Sequence, residues 1–317
     1  MKLEFVVKNF LKKEGYLGQP LLLALSGGPD SMALFHLLLQ AKVLFEVAHV
    51  DHRWRVTSEE EAKQLQKICA LHHIPFHLTT LRIDPQGVNV EDRCRQERLG
   101  FFKHVLALRG LQAVLCAHHA DDQAETVLKR ALEGSSLAKL SALQQIKKMG
   151  DLVILRPLLT VTKKELIYWL QERGIAFFVD ATNEEGKFLR GRMRSEMIPV
   201  LTQLFGKNVQ KGLCRLAQSA FELNRYLNEC LDPLLQEVKE IECGYQLILP
   251  KEIRSSSFLC KMALKRFFTK YGIIVSNELL NTCVLHLQHS KKKKREEIKR
   301  YHIELEGEKI IIRRKIA

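Results

Sequence analysis

The segment that most constrains this chain is residues 21–39, LLLALSGGPDSMALFHLLL. An apolar strand runs straight into Ser26-Gly27-Gly28-Pro29-Asp30-Ser31, and an apolar helix-like run follows at once. Two glycines let the backbone turn tightly. Hydroxyls and amides then gather at a helix N-terminus, where unsatisfied N–H groups favour phosphate. The loop lacks the lysine of GxxxxGK[ST] and does not meet the spacing GxGxxG. It fits a shorter cradle, in which amides and two hydroxyls bind phosphate oxygens and Asp30 places a magnesium ion. The simpler alternative is an ordinary glycine turn capped by Ser26 or Asp30.

Strand and helix signals alternate through the first two hundred residues. Strands are predicted at 21–25, 43–49, 76–81, 113–117 and 152–155, with helices near 30–41, 58–72, 90–109, 121–132 and 162–173. Strands this apolar are covered on both faces, which predicts an α/β fold with a doubly wound, mostly parallel sheet. Ligands of such sheets bind beyond the carboxyl ends of the strands. Ser26, His49 and His118 are each predicted just after a strand. The pattern changes near 190–215. The expected organisation is a catalytic domain over 1–210 and a smaller, mainly helical domain over 211–317, with a hairpin at 300–314. Residues 291–300, KKKKREEIKR, form the one strongly biased patch.

A chain of 317 residues with 46% hydrophobic content can bury a sizeable core. Its formal charge of +14 suits a polyanionic partner, whether RNA, DNA or an anionic membrane. The amphipathic start, MKLEFVVKNFLKKEG, lacks the continuous apolar stretch of a secretion signal or membrane span. Eight cysteines without CxxC spacing read as free thiols in a reducing compartment, so a cytoplasmic location is expected.

In AHHADDQAETV, His118, Asp122 and Glu125 are spaced four and three apart and share one helical face if the helix begins near 118. His119 and Asp121 lie beside that face. Helix capping by Asp121 or Asp122 is the plainer explanation. Carboxylates can also hold or deprotonate an ammonium group. Zinc on His118 and His119 is disfavoured, because adjacent histidines face different directions and no CxxC lies nearby. His49, Asp51 and His52 form either a nucleotide contact or a polar loop crest. Glu91, Arg95 and Arg98 suit helix ion pairs as well as a site beside Asn89. Arg190, Arg192 and Arg194, following Asp180 and Asn183, make either a solvated basic loop or a bidentate clamp on phosphate.

Taken in order, SGGPDS, HVDHRWR (49–55), GVNVEDRCRQERLGFF (87–102), AHHADDQAETVLKRALEG (117–134), RPLL (156–159) and DATNEEGKFLRGRMRSEMIPVL (180–201) resemble the N-type ATP pyrophosphatases, and among them the tRNA(Ile)-lysidine synthase family. One stretch departs from the family pattern: His52-Arg53-Trp54-Arg55 stands where H-G-L-R is usual. The resemblance implies ATP cleavage between the α and β phosphates. ATP would adenylate the C2 oxygen of the wobble cytidine in a CAU-anticodon tRNA(Ile), and free L-lysine would displace AMP. It further implies that Ser26, Gly27, Gly28, Pro29, Asp30, Ser31 and His49 hold ATP, with Asp30 on Mg²⁺. Asn89, Glu91, Arg95, Arg190, Arg192 and Arg194 would accept the substrates, while His118, Asp121, Asp122 and Glu125 surround the reacting groups. The alternatives are a tRNA thiolation enzyme of the same superfamily, a relative that amidates a small carboxylate, and a non-enzymatic RNA-binding protein. A thiolation enzyme would normally carry reactive cysteines, often as CxxC.

Overall fold

The computed structural model describes residues 3–54, 57–81, 83, 87, 89–178, 189–290, 292–298 and 300–315, and only the backbone of Glu91 and Arg190. The chain divides into two compact units, Met1–Phe221 and Glu222–Ala317.

The first unit opens with α1 (Leu3–Lys13), which buries Leu3, Val7, Phe10 and Leu11 at helical spacing. There follow β1 (Leu21–Ala24), α2 (Pro29–Gln40), β2 (Phe45–Asp51), α3 (Ser58–Leu71), β3 (Phe76–Thr80), α4 (Val90–Arg109), β4 (Val114–Leu115) and α5 (Ala120–Leu132). The chain continues through α6 (Leu137–Leu140), β5 (Ile146–Met149), β6 (Leu152–Leu155), α7 (Lys163–Gln171) and α8 (Leu189–Arg192). One π-helical turn, Met193–Met197, leads into α9 (Ile198–Phe205) and α10 (Val209–Gln236), and the division between the units falls within α10.

The six strands lie in the order β3-β2-β1-β4-β6-β5. β1 pairs in parallel with β2 (Leu21↔Phe45) and with β4 (Leu22↔Val114), and β4 with β6 (Val114↔Ile154). Only β5 runs antiparallel, closing the edge against β6. The doubly wound sheet expected from the strand–helix alternation is therefore observed. Leu21, Leu22 and Leu23 are fully buried because helices cover both faces; burying each such side chain contributes roughly 1.5–3 kcal/mol. The winding direction reverses between β1 and β4, the place beyond the strand ends where open sheets of this kind bind ligands.

The second unit contains β7 (Lys239–Ile241), β8 (Gly244–Ile248), α11 (Lys251–Ser255), α12 (Ser257–Lys270), α13 (Asn277–His289), β9 (Lys294–Ile298), β10 (Tyr301–Glu306) and β11 (Lys309–Arg314). Its antiparallel sheet, β7-β8-β11-β10-β9, packs a core of Phe267, Phe268, Ile303, Leu305, Ile310 and Ile312. The expected hairpin is β10–β11, widened by three further strands. The lysine-rich run supplies the edge strand β9, where charged side chains discourage pairing with another chain.

All eight cysteines are free, and burial pushes the thiols of Cys69 and Cys283 up to about 12. Among the described residues, no helix is long and apolar enough to cross a membrane.

Candidate active site at the carboxyl ends of β1 and β4

The Ser26–Ser31 loop closes on one hydroxyl. Ser31 Oγ accepts from the backbone N–H of Ser26 (3.2 Å) and Gly27 (3.1 Å) and donates to the Gly28 carbonyl at 3.1 Å. Ser26 Oγ lies 3.1 Å from it. Gly28 caps α2 and Pro29 takes its first position, where a missing N–H costs nothing. Gly27 has φ +85°, and a Cβ there would lie 2.3 Å from a ring carbon of Phe178. Asp30 Oδ1 is buried without a hydrogen-bond partner among the described residues. That orphaned oxygen fits one carboxylate contact to a magnesium ion completed by phosphate and water. No larger metal-ligating cluster exists among the described residues.

Facing this loop, His119 caps α5 with extended backbone, and its N–H donates to Asp122 Oδ2 at 3.0 Å. Its buried ring lies 3.5 Å from Asp30, 3.3 Å from Asp121 and 3.5 Å from Asp122. Burial alone would depress this histidine, but the Asp121 and Asp30 carboxylates raise it to about 9. Asp121 is held down at about 2: burial opposes this, and the His119 contact and the Lys163 amide outweigh it. The folded His119 value exceeds its unfolded 6.5, so its stabilisation is complete below about pH 6.5 and is lost as pH rises through about 9. Thermal melting between about pH 6 and about pH 10 is therefore expected to show Tm falling across the upper half of the range. The fall should be blunted in His119→Gln, and a flat Tm in the native sequence would contradict the assignment.

Asp122 and Glu125 share a face of α5, as their spacing predicts, and Arg194 joins them. Its Nε donates to Glu125 Oε1 at 2.6 Å and its Nη2 to Asp122 Oδ1 at 3.4 Å. Burial raises Glu125 despite the opposing guanidinium. The π-helical turn carries Arg194 to these carboxylates; such turns recur at functional sites. A cleft of about 460 Å³ results, with Asp121, Glu125, Arg194 and Gln210 facing Ile198 and Pro199. His118 precedes α5, and its Nδ1 accepts from Arg156 Nε at 3.2 Å. Burial, then Arg156, depress it to about 4.

The remaining expected residues are spread more widely. His49 lies inside β2 and is buried, with Nδ1 2.7 Å from the Leu25 carbonyl and the ring stacked on Phe76. Exposed Trp54 packs against His52, ring centroids 5.1 Å apart. Asn89 sits at the start of α4 with φ 54°, while Arg95 and Arg192 are exposed. The side chains of Glu91 and Arg190, together with Asp180 and Asn183, lie outside the described residues. Arg156 and Lys147 give no signal in the sequence beyond the RPLL motif, because a basic residue just after β6 or within the short strand β5 carries no periodic pattern. Burial lowers Lys147, and Arg95, Arg156 and Arg130 lower it further.

A glycine-rich turn at a switch point, faced by a histidine–carboxylate cluster, belongs to an α/β protein of the ATP-binding class. Residues 2–201 match the PP-loop domain family. The tRNA(Ile)-lysidine synthase of Chlamydia pneumoniae is 40% identical over 270 residues, 85% of each chain. The one from Chlamydia muridarum is 38% identical over 288 residues, 90% of this chain and 88% of that one. The chain belongs to the tRNA(Ile)-lysidine synthase family. In fold alone it is similar to a U34-tRNA thiolase from Methanococcus maripaludis, with TM-score 0.56 and 17% identity over 76% of this chain and 81% of that one.

Proposed function

We propose that this chain is a cytoplasmic ligase that adenylates the C2 oxygen of the wobble cytidine in CAU-anticodon tRNA(Ile) with ATP. It then joins the ε-amine of free L-lysine to C2, releasing AMP and pyrophosphate. The observation that carries this reading is the contact between the Ser26–Ser31 loop and the carboxylate cluster: the His119 ring lies 3.5 Å from Asp30 and 3.3 Å from Asp121, which lines a cleft with an apolar wall.

The first-turn amides of α2 have no helical acceptor, so with the Ser26 hydroxyl they take the ATP phosphates, while Ser31 Oγ holds the loop in shape through Ser26, Gly27 and Gly28. Gly27 and Gly28 let the backbone approach, and His49 braces the loop from behind through Leu25. Asp30 would hold Mg²⁺, which, when bound, offsets charge developing on the phosphates. Asp30→Asn is accordingly expected to abolish tRNA-dependent pyrophosphate release from Mg²⁺–ATP; release at the native rate would remove Asp30 from that role.

Lysine suits the cleft: its ammonium meets Glu125 and Asp121, its methylenes lie along Ile198 and Pro199, and Arg194 takes its carboxylate. The amine must lose a proton before it attacks, and its free pKa of about 10.4 makes a neighbouring base useful. Glu125, its basicity raised by burial, takes that proton, with Asp122 orienting Arg194.

The RNA meets a basic surface. Arg95, Arg130 and Lys147 present like charges that suit phosphodiester oxygens, both arginines opposing the Lys147 charge. Arg192 adds an exposed guanidinium. Trp54 offers a stacking face to an unpaired anticodon-loop base. Trp54→Ala is expected to weaken tRNA binding by about 1–3 kcal/mol with ATP affinity unchanged, as titration calorimetry reads directly.

A further inference from the structure

We infer that Arg156 is a positioning residue that locks His118 as its Nε2–H tautomer, so that His118 serves the reaction as a hydrogen-bond donor and not as its base. The use of that donor in catalysis rests on the function proposed above. The tautomer itself rests only on the contacts around the ring.

A guanidinium carries five N–H donors, no acceptor, and a charge it does not lose. The 3.2 Å contact from Arg156 Nε to His118 Nδ1 therefore requires a lone pair on Nδ1. The single ring proton of a neutral imidazole must then sit on Nε2. Arg156 cannot swing away easily. It is 6% exposed, its Nη1 donates to the Gln144 carbonyl at 2.7 Å, and its own N–H donates to the Gln145 carbonyl at 2.8 Å. The segment bearing Gln144 is itself anchored: the Gln123 side chain accepts from the Leu143 N–H at 2.8 Å and donates to the Leu143 carbonyl at 3.1 Å.

Burial disfavours the charge of this guanidinium, and the groups acting on it are Cys116 and Arg95 rather than a carboxylate. A lysine in its place would present a rotatable point charge and would not fix a ring orientation in the same way. The groups acting on His118 are Arg156 after β6, Asp122 on α5, Arg98 on α4 and its neighbour His119. The two arginines and His119 oppose protonation, and Asp122 alone favours it. Beyond the end of β4, a fixed N–H is suited to an oxygen of the base or nucleotide that gathers negative charge. Proton removal from lysine is left to the carboxylates.

The test is a long-range ¹H–¹⁵N correlation spectrum of the whole chain with ¹⁵N-labelled histidine, His118 being identified by its loss in His118→Asn. An unprotonated Nδ1 with a protonated Nε2, unchanged across the neutral pH range, is expected; a protonated Nδ1 would overturn the inference without any variant. In Arg156→Met the ring should become a tautomer mixture that titrates nearer 6.5, and kcat should fall roughly tenfold or more with KM little changed. Arg156→Gln, which keeps an N–H donor, should recover part of the native pattern and rate. A folded Arg156→Met protein with the native His118 spectrum, or with native turnover, would equally overturn it. Because the tautomer is read on the free protein, failure of the proposed reaction and failure of this inference show in separate experiments.

Discussion

Glu125→Gln is expected to cut lysine transfer by a factor of roughly a hundred or more while leaving tRNA-dependent pyrophosphate release close to native. Glutamine preserves the shape and one acceptor for Arg194 Nε, now 2.6 Å from Glu125 Oε1, so the π-helical turn stays in place. What disappears is the negative charge in a buried position, and with it both the partner of an incoming ammonium and the acceptor of its proton. Because Glu125 is 3% exposed and raised by burial, its carboxylate is more basic than a surface one, and water cannot substitute for it efficiently. Single-turnover assays separate the two half-reactions. If both fell together, Glu125 would belong to ATP activation; if neither changed, the carboxylate cleft would not be where lysine reacts.

Gly27→Ala should be the most damaging change in the phosphate loop. At φ +85° any L side chain is strained, by roughly 1–2 kcal/mol. The new methyl would also lie 2.3 and 2.6 Å from two ring carbons of Phe178, an overpacking cost of about 1–3 kcal/mol. Phe178 cannot retreat freely, since its N–H donates to the Gly27 carbonyl at 2.9 Å. The expected outcome is a markedly lower Tm together with loss of ATP binding by calorimetry. Gly28→Ala makes the control for Tm alone, since its Cβ would meet only Ser26 Oγ, at 3.7 Å, and its φ is −70°. Equal tolerance of both substitutions would mean that the loop adopts another conformation.

Much of this architecture was legible because local pattern and tertiary environment agree. LLLA reads as a buried parallel strand and becomes β1, and the long run from residue 90 becomes α4 over the expected span. β5 was hidden, because IKKM has no strong alternation and pairs only because β6 offers it a free edge, Ile146 opposite Leu155. The spacing of Asp122 and Glu125 correctly placed both on one face of α5. His118 falls short of the helix, since His119 takes extended backbone as its cap and Asp122 folds back to bond its N–H. Arg194 and Arg156 act through partners 69 and 38 residues distant, and no window of local sequence contains such pairs. The expected clamp of successive arginines is reshaped for the same reason: Arg194 turns inward to two carboxylates while Arg192 faces solvent.

The central claim is the transfer of lysine to an adenylated cytidine, and the direct measurement is incorporation of radiolabelled L-lysine into unmodified CAU-anticodon tRNA(Ile) with Mg²⁺–ATP. The account predicts label in the tRNA in step with AMP and pyrophosphate, dependent on ATP and on the wobble cytidine. Pyrophosphate release without label in the tRNA, on folded protein and competent tRNA, would contradict it.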